Sequence, residues 1–268
     1  MKFSPDKGKL LAAAVLSFSL LQSQTNADPA IVAAAAVDLS ESIETTEDWV
    51  FKTALGYDSC SGNTEKDAAS AHFEAVKANG KFRLFSTFDG AWEETQTEKD
   101  GVKTTDTTVN NIKAAANFKT LFNGYFLYVD VSGLHDEISD IRYRFIESVG
   151  IGTFLFDTDA LRFSIQGGFA YVQEDIGETD QYASLRFAER IDWKPAFANG
   201  VSFWESVETL VNVEGFDRHL VTAEAGMDVP LFANLSLQLK ATCNYDSDPA
   251  KDKKSTDRRL MTQVAYRF

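Results

Sequence analysis

Apolar and polar residues alternate with period two over unusually long segments, and nothing else constrains this chain as much. Leu235, Leu237, Leu239, Ala241, Cys243 and Tyr245 alternate with Ser236, Gln238, Lys240, Thr242 and Asn244. Leu161, Phe163, Ile165, Gly167, Phe169 and Tyr171 share one face of another segment, and Phe82, Leu84, Ser86, Phe88, Gly90 and Trp92 one face of a third. Leu260, Thr262, Val264, Tyr266 and Phe268 do so at the C-terminus. These runs exceed the roughly five or six residues of an average soluble strand and suit the roughly 9–11 of a tilted membrane strand. No run of 18 apolar residues is present, so no α-helix of the mature chain spans a bilayer. The expected fold is all-β, a transmembrane antiparallel up-and-down β-barrel of about 12 strands.

The twelve segments lie near 49–59, 66–78, 80–93, 107–119, 122–133, 141–154, 160–173, 180–194, 200–212, 217–229, 233–245 and 257–268. Short connections, such as Asn79-Gly80, 121–124 and Pro230-Leu231, alternate with longer polar ones at 59–65, 94–106, 134–140, 174–179, 213–216 and 246–256. Both chain ends then fall on the short-turn side, the asymmetry of an outer-membrane barrel. Pro5, Pro29, Pro195, Pro230 and Pro249 all sit outside the expected strand interiors. Tyr57, Trp92, Tyr143, Tyr171 and Tyr245 are placed to form one aromatic girdle. Trp49, Phe82, Phe118, Tyr125, Trp193 and Phe268 are placed to form the other. A soluble β-sandwich is the competing reading, but its strands would be about half as long, with turns every 8–12 residues or so. Glu147, Glu189 and the opposed pair Glu205 and Glu208 break the phase, so bulges or register changes are expected there.

Residues 1–27 read as a cleaved signal peptide: Lys2, Lys7 and Lys9 precede the apolar stretch Leu10–Leu21, and Ala27 is followed by Asp28. Residues 28–48 read as a periplasmic lead-in and 49–268 as the barrel. A net charge of −14 argues against a nucleic-acid partner. Cys60 and Cys243 fall at the same end of the expected barrel with one strand between them, a spacing of roughly 10 Å that disfavours a disulfide.

At this point the residues resemble the YdiY-like family of salt-induced outer-membrane proteins, domain of unknown function 481. The resemblance rests on Leu55-Gly56-Tyr57 with Ser61-Gly62-Asn63-Thr64, on Asn244-Tyr245-Asp246-Ser247-Asp248-Pro249, and on Thr256-Asp257-Arg258-Arg259-Leu260 with the terminal Val264-Ala265-Tyr266-Arg267-Phe268. It covers about 49–268 and implies a bacterial outer-membrane barrel with no assigned activity. Val264, Tyr266 and Phe268 also resemble the C-terminal signal by which such barrels are recognised for insertion.

By phase, Lys52, Glu74, Arg83, Asp89, Lys113, Arg162, Arg186, Arg190, Glu224, Lys240, Arg259 and Arg267 line the lumen, with His72, Asp130 and Arg144. The inward face is therefore expected to be polar and charged. Such a lining fits either a water-filled path or an ion-pair network plugging a narrow barrel. The stretches 93–106, 134–140 and 174–180 are acidic, a rim that favours cations over anions. No HExxH, GxSxG or phosphate loop is present, and His219 lacks a His-x-Ser partner, so no enzyme is expected. No cofactor or metal is expected either. The leading functional expectation is passive passage of small polar or cationic solutes. The alternative is a non-conducting envelope barrel with an acidic surface, and less favoured is a lipid-modifying enzyme. Expected partners are outer-membrane lipid and lipopolysaccharide, and the barrel insertion machinery.

Overall fold

The computed structural model describes residues 49–60, 64–99, 102–198 and 200–268. The expected signal peptide and lead-in lie outside the described residues. Twelve antiparallel strands form a closed barrel in sequence order, with the last strand returning to the first. They are β1 Val50–Cys60, β2 Thr64–Ala78, β3 Phe82–Lys99, β4 Val102–Phe122, β5 Tyr125–Asp136 and β6 Ile141–Asp157. The second half comprises β7 Leu161–Asp175, β8 Thr179–Trp193, β9 Ser202–Asn212, β10 His219–Phe232, β11 Leu235–Asp246 and β12 Thr256–Arg267. One rim carries Trp49, Phe268 and connections of two or three residues apart from the longer 194–201, and the other carries the connections 137–140, 176–178, 213–218 and 247–255. At Asn123-Gly124 both residues have positive φ (49° and 82°), the two-residue turn that an Asn-Gly pair favours because its twist matches that of the flanking strands.

Leu127, Val129, Val149, Ile151, Phe169 and Phe187 are exposed on the outer wall, an apolar band that only lipid covers without penalty. Both girdles are present. At the turn rim Phe51 stacks on Trp49, Phe73 and Phe268 at centroid distances of 6.0, 6.0 and 5.7 Å, and Phe82 on Phe118 at 6.1 Å. At the loop rim the hydroxyls of Tyr57 and Tyr171 donate to Asp67 and Gln181 at 2.9 and 2.7 Å.

Three expectations need correction. The polar connection 94–106 is mostly strand: β3 and β4 stay in register from Glu94↔Thr107 to Lys99↔Val102. Thr95, Thr97, Thr104, Thr105 and Thr107 favour extended backbone. Apolar alternation is missing there because the hairpin stands clear of the wall, with Val102–Thr107 exposed. Pro230 lies inside β10, but at the register shift next to Phe232, where a missing N–H is tolerated. The bulges expected at the outward carboxylates are absent. Glu147 is in register with Val131 and Tyr171, Glu189 with Ile165 and Val207, and Glu205 with Ile191 and Ala225. A one-residue slip would turn every neighbour on that strand inside out, Arg186 and Arg190 included, so the ladder holds its register and the three carboxylates stay outside. Three of the observed shifts fall near strand ends, at Leu134/Asp136, Phe154/Phe156 and Pro230/Phe232, and the fourth, Glu93/Glu94, lies within β3.

The barrel closes through a short seam. β1 and β12 pair from Lys52↔Arg267 to Leu55↔Val264. Phe51 N–H donates to Phe268 O at 2.9 Å, and Phe268 N–H donates to Phe51 O at 3.0 Å. Val264, Tyr266 and Phe268 face outward there, as their alternation predicts. Deleting Phe268 removes both reciprocal bonds and its stack on Phe51. The expected result is a severalfold fall in the heat-modifiable, folded fraction on detergent gels; an unchanged fraction would show that closure does not depend on this residue.

Candidate functional site: a lumen filled by ion pairs

Every lumen candidate lies on the inward face, and most are drawn into pairs. At the centre, Arg186 is only 1% exposed. Its Nε and Nη2 donate to Glu208 at 2.9 and 2.5 Å, and Nη2 lies 2.9 Å from Asp130. The guanidinium also sits 4.9 Å over the Tyr128 ring, while Asp130 accepts from Asn117. A planar five-donor fork suits this site because it serves two carboxylates and a ring face at once. To one side, His72 Nδ1 is 2.8 Å from Asp89 and Nε2 is 3.6 Å from Glu74. Lys240 reaches Glu224 at 3.1 Å, and Lys113 is buried close by. Towards the turn rim, Arg190 is bidentate to Asp192, and Lys52 pairs with Asp228 at 2.9 Å beneath Trp204. Arg162 and Arg83 share Asp157 at 2.7 and 4.0 Å. Arg267 stands apart, exposed at that rim.

Towards the loop rim, Arg144 bridges Glu174 and Asp246 at 2.5 and 2.6 Å. Arg218 reaches Glu174 at 2.5 Å and Asp180 at 3.1 Å, and lies 4.7 Å over the Tyr182 ring. The β11–β12 connection folds across this end: Ala250 is buried, and Lys253 Nζ binds Asp140 at 2.9 Å and donates to Ile138 O at 2.7 Å.

The inward face is not purely polar, as alternation alone implied. Ile146, Ala170, Val172, Tyr182, Leu210 and Leu220 form an apolar cluster within the lumen. Phe126, Tyr128 and Phe154 fill its other side, with Lys119 Nζ 4.7 Å from the Phe126 ring. Glycines opposite make the room. A Cβ on Gly168 would lie 2.6 Å from the Tyr128 hydroxyl, and one on Gly152 would fall within contact limits of the Phe126 ring. Between these layers remain cavities of about 40, 40 and 10 Å³, each large enough for waters only.

Sequence reasoning missed Arg218, which fell inside the expected segment 217–229 but lies on the connection just before β10. It also missed Glu174, which fell on the expected connection 174–179, Glu208, in a segment where neither face was clean, and Asp228, whose partner was not legible. Cys60 and Cys243 are free thiols, and Cys243 is in register with Arg258 of the intervening β12. His219 offers its backbone N–H, not its ring, to Ser247 Oγ at 2.7 Å. Among the described residues no cluster of His, Cys, Asp and Glu is arranged to hold a metal ion.

The profile described as "Protein of unknown function, DUF481" matches residues 53–268. The chain belongs to the DUF481 family. Its match takes in all of the barrel beyond the first residues of β1. No curated protein matches the chain. Among solved structures, this DUF481 barrel is similar to an outer membrane channel from Pseudomonas putida F1 (TM-score 0.48, 10% identity, 87% of this chain and 100% of that one). It is similar also to the NanC porin (0.48, 8%, 80% and 98%) and to the translocator domain of the autotransporter NalP from Neisseria meningitidis (0.42, 12%, 82% and 88%).

Proposed function

We propose that this DUF481 chain is an integral barrel of the bacterial outer membrane that does not conduct solutes: an envelope protein with an occluded lumen and an acidic outer rim. One observation carries the reading. Arg186, Lys119, Arg144 and Glu174 are at most 3% exposed although all point into the lumen. In an open pore a water-sized sphere would reach them. The expected passive channel for small polar or cationic solutes would need these layers to part, and each paired charge resists being left alone in a low-dielectric interior. The apolar band and the two girdles support the membrane setting. A cleaved signal, recognition of Val264, Tyr266 and Phe268 by the insertion machinery, and contact with lipopolysaccharide belong to the same reading, which assigns the chain no chemistry of its own.

Conductance tests it. Purified, heat-modifiable protein in a planar bilayer with a salt gradient is expected to leave the membrane silent. Discrete steps with a cation-selective reversal potential would overturn the occluded reading in favour of the channel. A chain that fractionates with soluble protein and migrates identically heated and unheated would overturn the membrane setting itself.

A further inference from the structure

We propose that the loop-rim half of the β1–β12 seam is a lateral binding site for an anionic phospholipid, its headgroup held within the wall and its acyl chains lying on the outer face. This rests on the membrane reading above. Beyond Leu55↔Val264 a side-chain clasp continues the seam: Gln263 Nε2 of β12 donates to Ser70 Oγ of β2 at 3.1 Å, passing across β1 at Gly56. Only glycine leaves that passage free, since a Cβ there would lie 2.7 Å from Ser70 Oγ and 2.8 Å from the Thr262 carbonyl oxygen. Past the clasp, Tyr57–Cys60 of β1 and Thr256–Thr262 of β12 have no register partners in each other among the described residues, though each strand stays paired on its other side.

A cavity of about 670 Å³ occupies this divergence, far larger than the three lumenal cavities described above. It is lined by Leu55, Tyr57 and Leu260 from the outer face and by Ser70, Glu93 and Gln263 from the inner one, so it passes through the wall. Arg259, Gln263 and Ser70 also line one of the 40 Å³ lumenal cavities, so the two spaces are neighbours across these side chains.

A split wall turns two rows of backbone N–H and C=O groups towards hydrocarbon, where unsatisfied polar groups cost several kcal/mol each. The occupant must therefore bring polar atoms to the split and apolar ones to the face carrying Leu260, which is 78% exposed. Charge selects its sign. In a chain of net charge −14, the opening holds Arg258, Arg259 and Lys66, with Asp58 and Glu93 as its carboxylates. Glu93 is already held by Lys66 at 2.8 Å. Successive side chains of β12 take opposite faces, so Arg259 lines the opening from the lumen side and Arg258 from the outer side, and the paired donors of a guanidinium suit the oxygens of a phosphate held between them.

The test uses the full chain in phosphatidylcholine vesicles doped with photoactivatable phosphatidylglycerol. Cross-links are expected to concentrate on Tyr57–Ser59 and Arg258–Thr262. They should fall severalfold in the Arg258→Gln/Arg259→Gln variant, and photoactivatable phosphatidylcholine should show no such preference. On the unaltered protein, unlabelled phosphatidylglycerol should displace the label and inorganic phosphate should not. Labelling spread evenly round the belt, displacement by phosphate alone, or cross-linking of the seam to a second copy of the chain would each overturn the proposal. Should the double variant fail to fold, the competition on unaltered protein still decides. If the chain never inserts into vesicles, the membrane reading fails; insertion with uniform labelling sinks the lipid site alone.

Discussion

Replacing Arg186 by methionine is expected to destabilise the folded barrel by about 3–5 kcal/mol, because it strands Glu208 and Asp130 without their counter-charge in a buried interior. The lost fork is only part of the effect. Methionine also removes the cation from the Tyr128 face and leaves Asp130 with Asn117 as its remaining donor. The informative comparison is the triple variant Arg186→Met/Glu208→Gln/Asp130→Asn, which deletes all three charges together. Most of the lost stability should return in it, since removing a whole buried ion set is frequently close to neutral. Arg186→Lys should fall between, keeping a charge but losing the geometry that serves Glu208 twice. Urea unfolding of the detergent-folded barrel measures all three. If the single variant unfolds within about 1 kcal/mol of the parent, in the range of a solvated surface pair, the centre of the lumen is wet and the occluded reading fails with it.

Gly226 gives the second large effect. Its hypothetical Cβ would lie 2.0 Å from Cζ2 and 2.2 Å from Cη2 of Trp204, nearer than carbon atoms approach. Gly226→Ala is therefore expected to cost at least the 1–3 kcal/mol or so of an overpacked core. Trp204 cannot swing away freely, because Lys52 lies 5.9 Å from its ring centre while bound to Asp228. Trp204→Leu in the same chain should restore most of the loss, although Trp204→Leu alone should be mildly destabilising through the void it leaves. Non-additivity of that sign is the signature of direct contact. Additive effects would place the indole elsewhere.

The first prediction concerns a residue, Arg186, whose direction was legible in the sequence and whose neighbours were not. Alternation assigned Arg186 and Lys240 to the inside and Val264, Tyr266 and Phe268 to the outside, because a strand's side chains have only two directions and one face of this wall must be apolar. The same logic yielded twelve strands, their order and the two girdles. It failed where both faces of a strand share one environment, as in the β3–β4 hairpin that stands clear of the wall. It also misjudged Glu147, Glu189 and Glu205, because local polarity suggested a slip that the closed ladder forbids.

Strand count, inside and outside, and the placing of most turns, though not the one between β3 and β4, were thus set by the sequence alone, through period-two patterning and turn chemistry, which act between near neighbours. Which carboxylate Arg186 meets, how Gly168 and Gly226 admit Tyr128 and Trp204, and where the seam stops pairing were decided only by the tertiary structure. Some of those contacts join strands well apart in the chain, Arg186 of β8 to Asp130 of β5 and β1 to β12 at the seam. Their geometry depends on the register accumulated around all twelve strands, and no local pattern carries that sum.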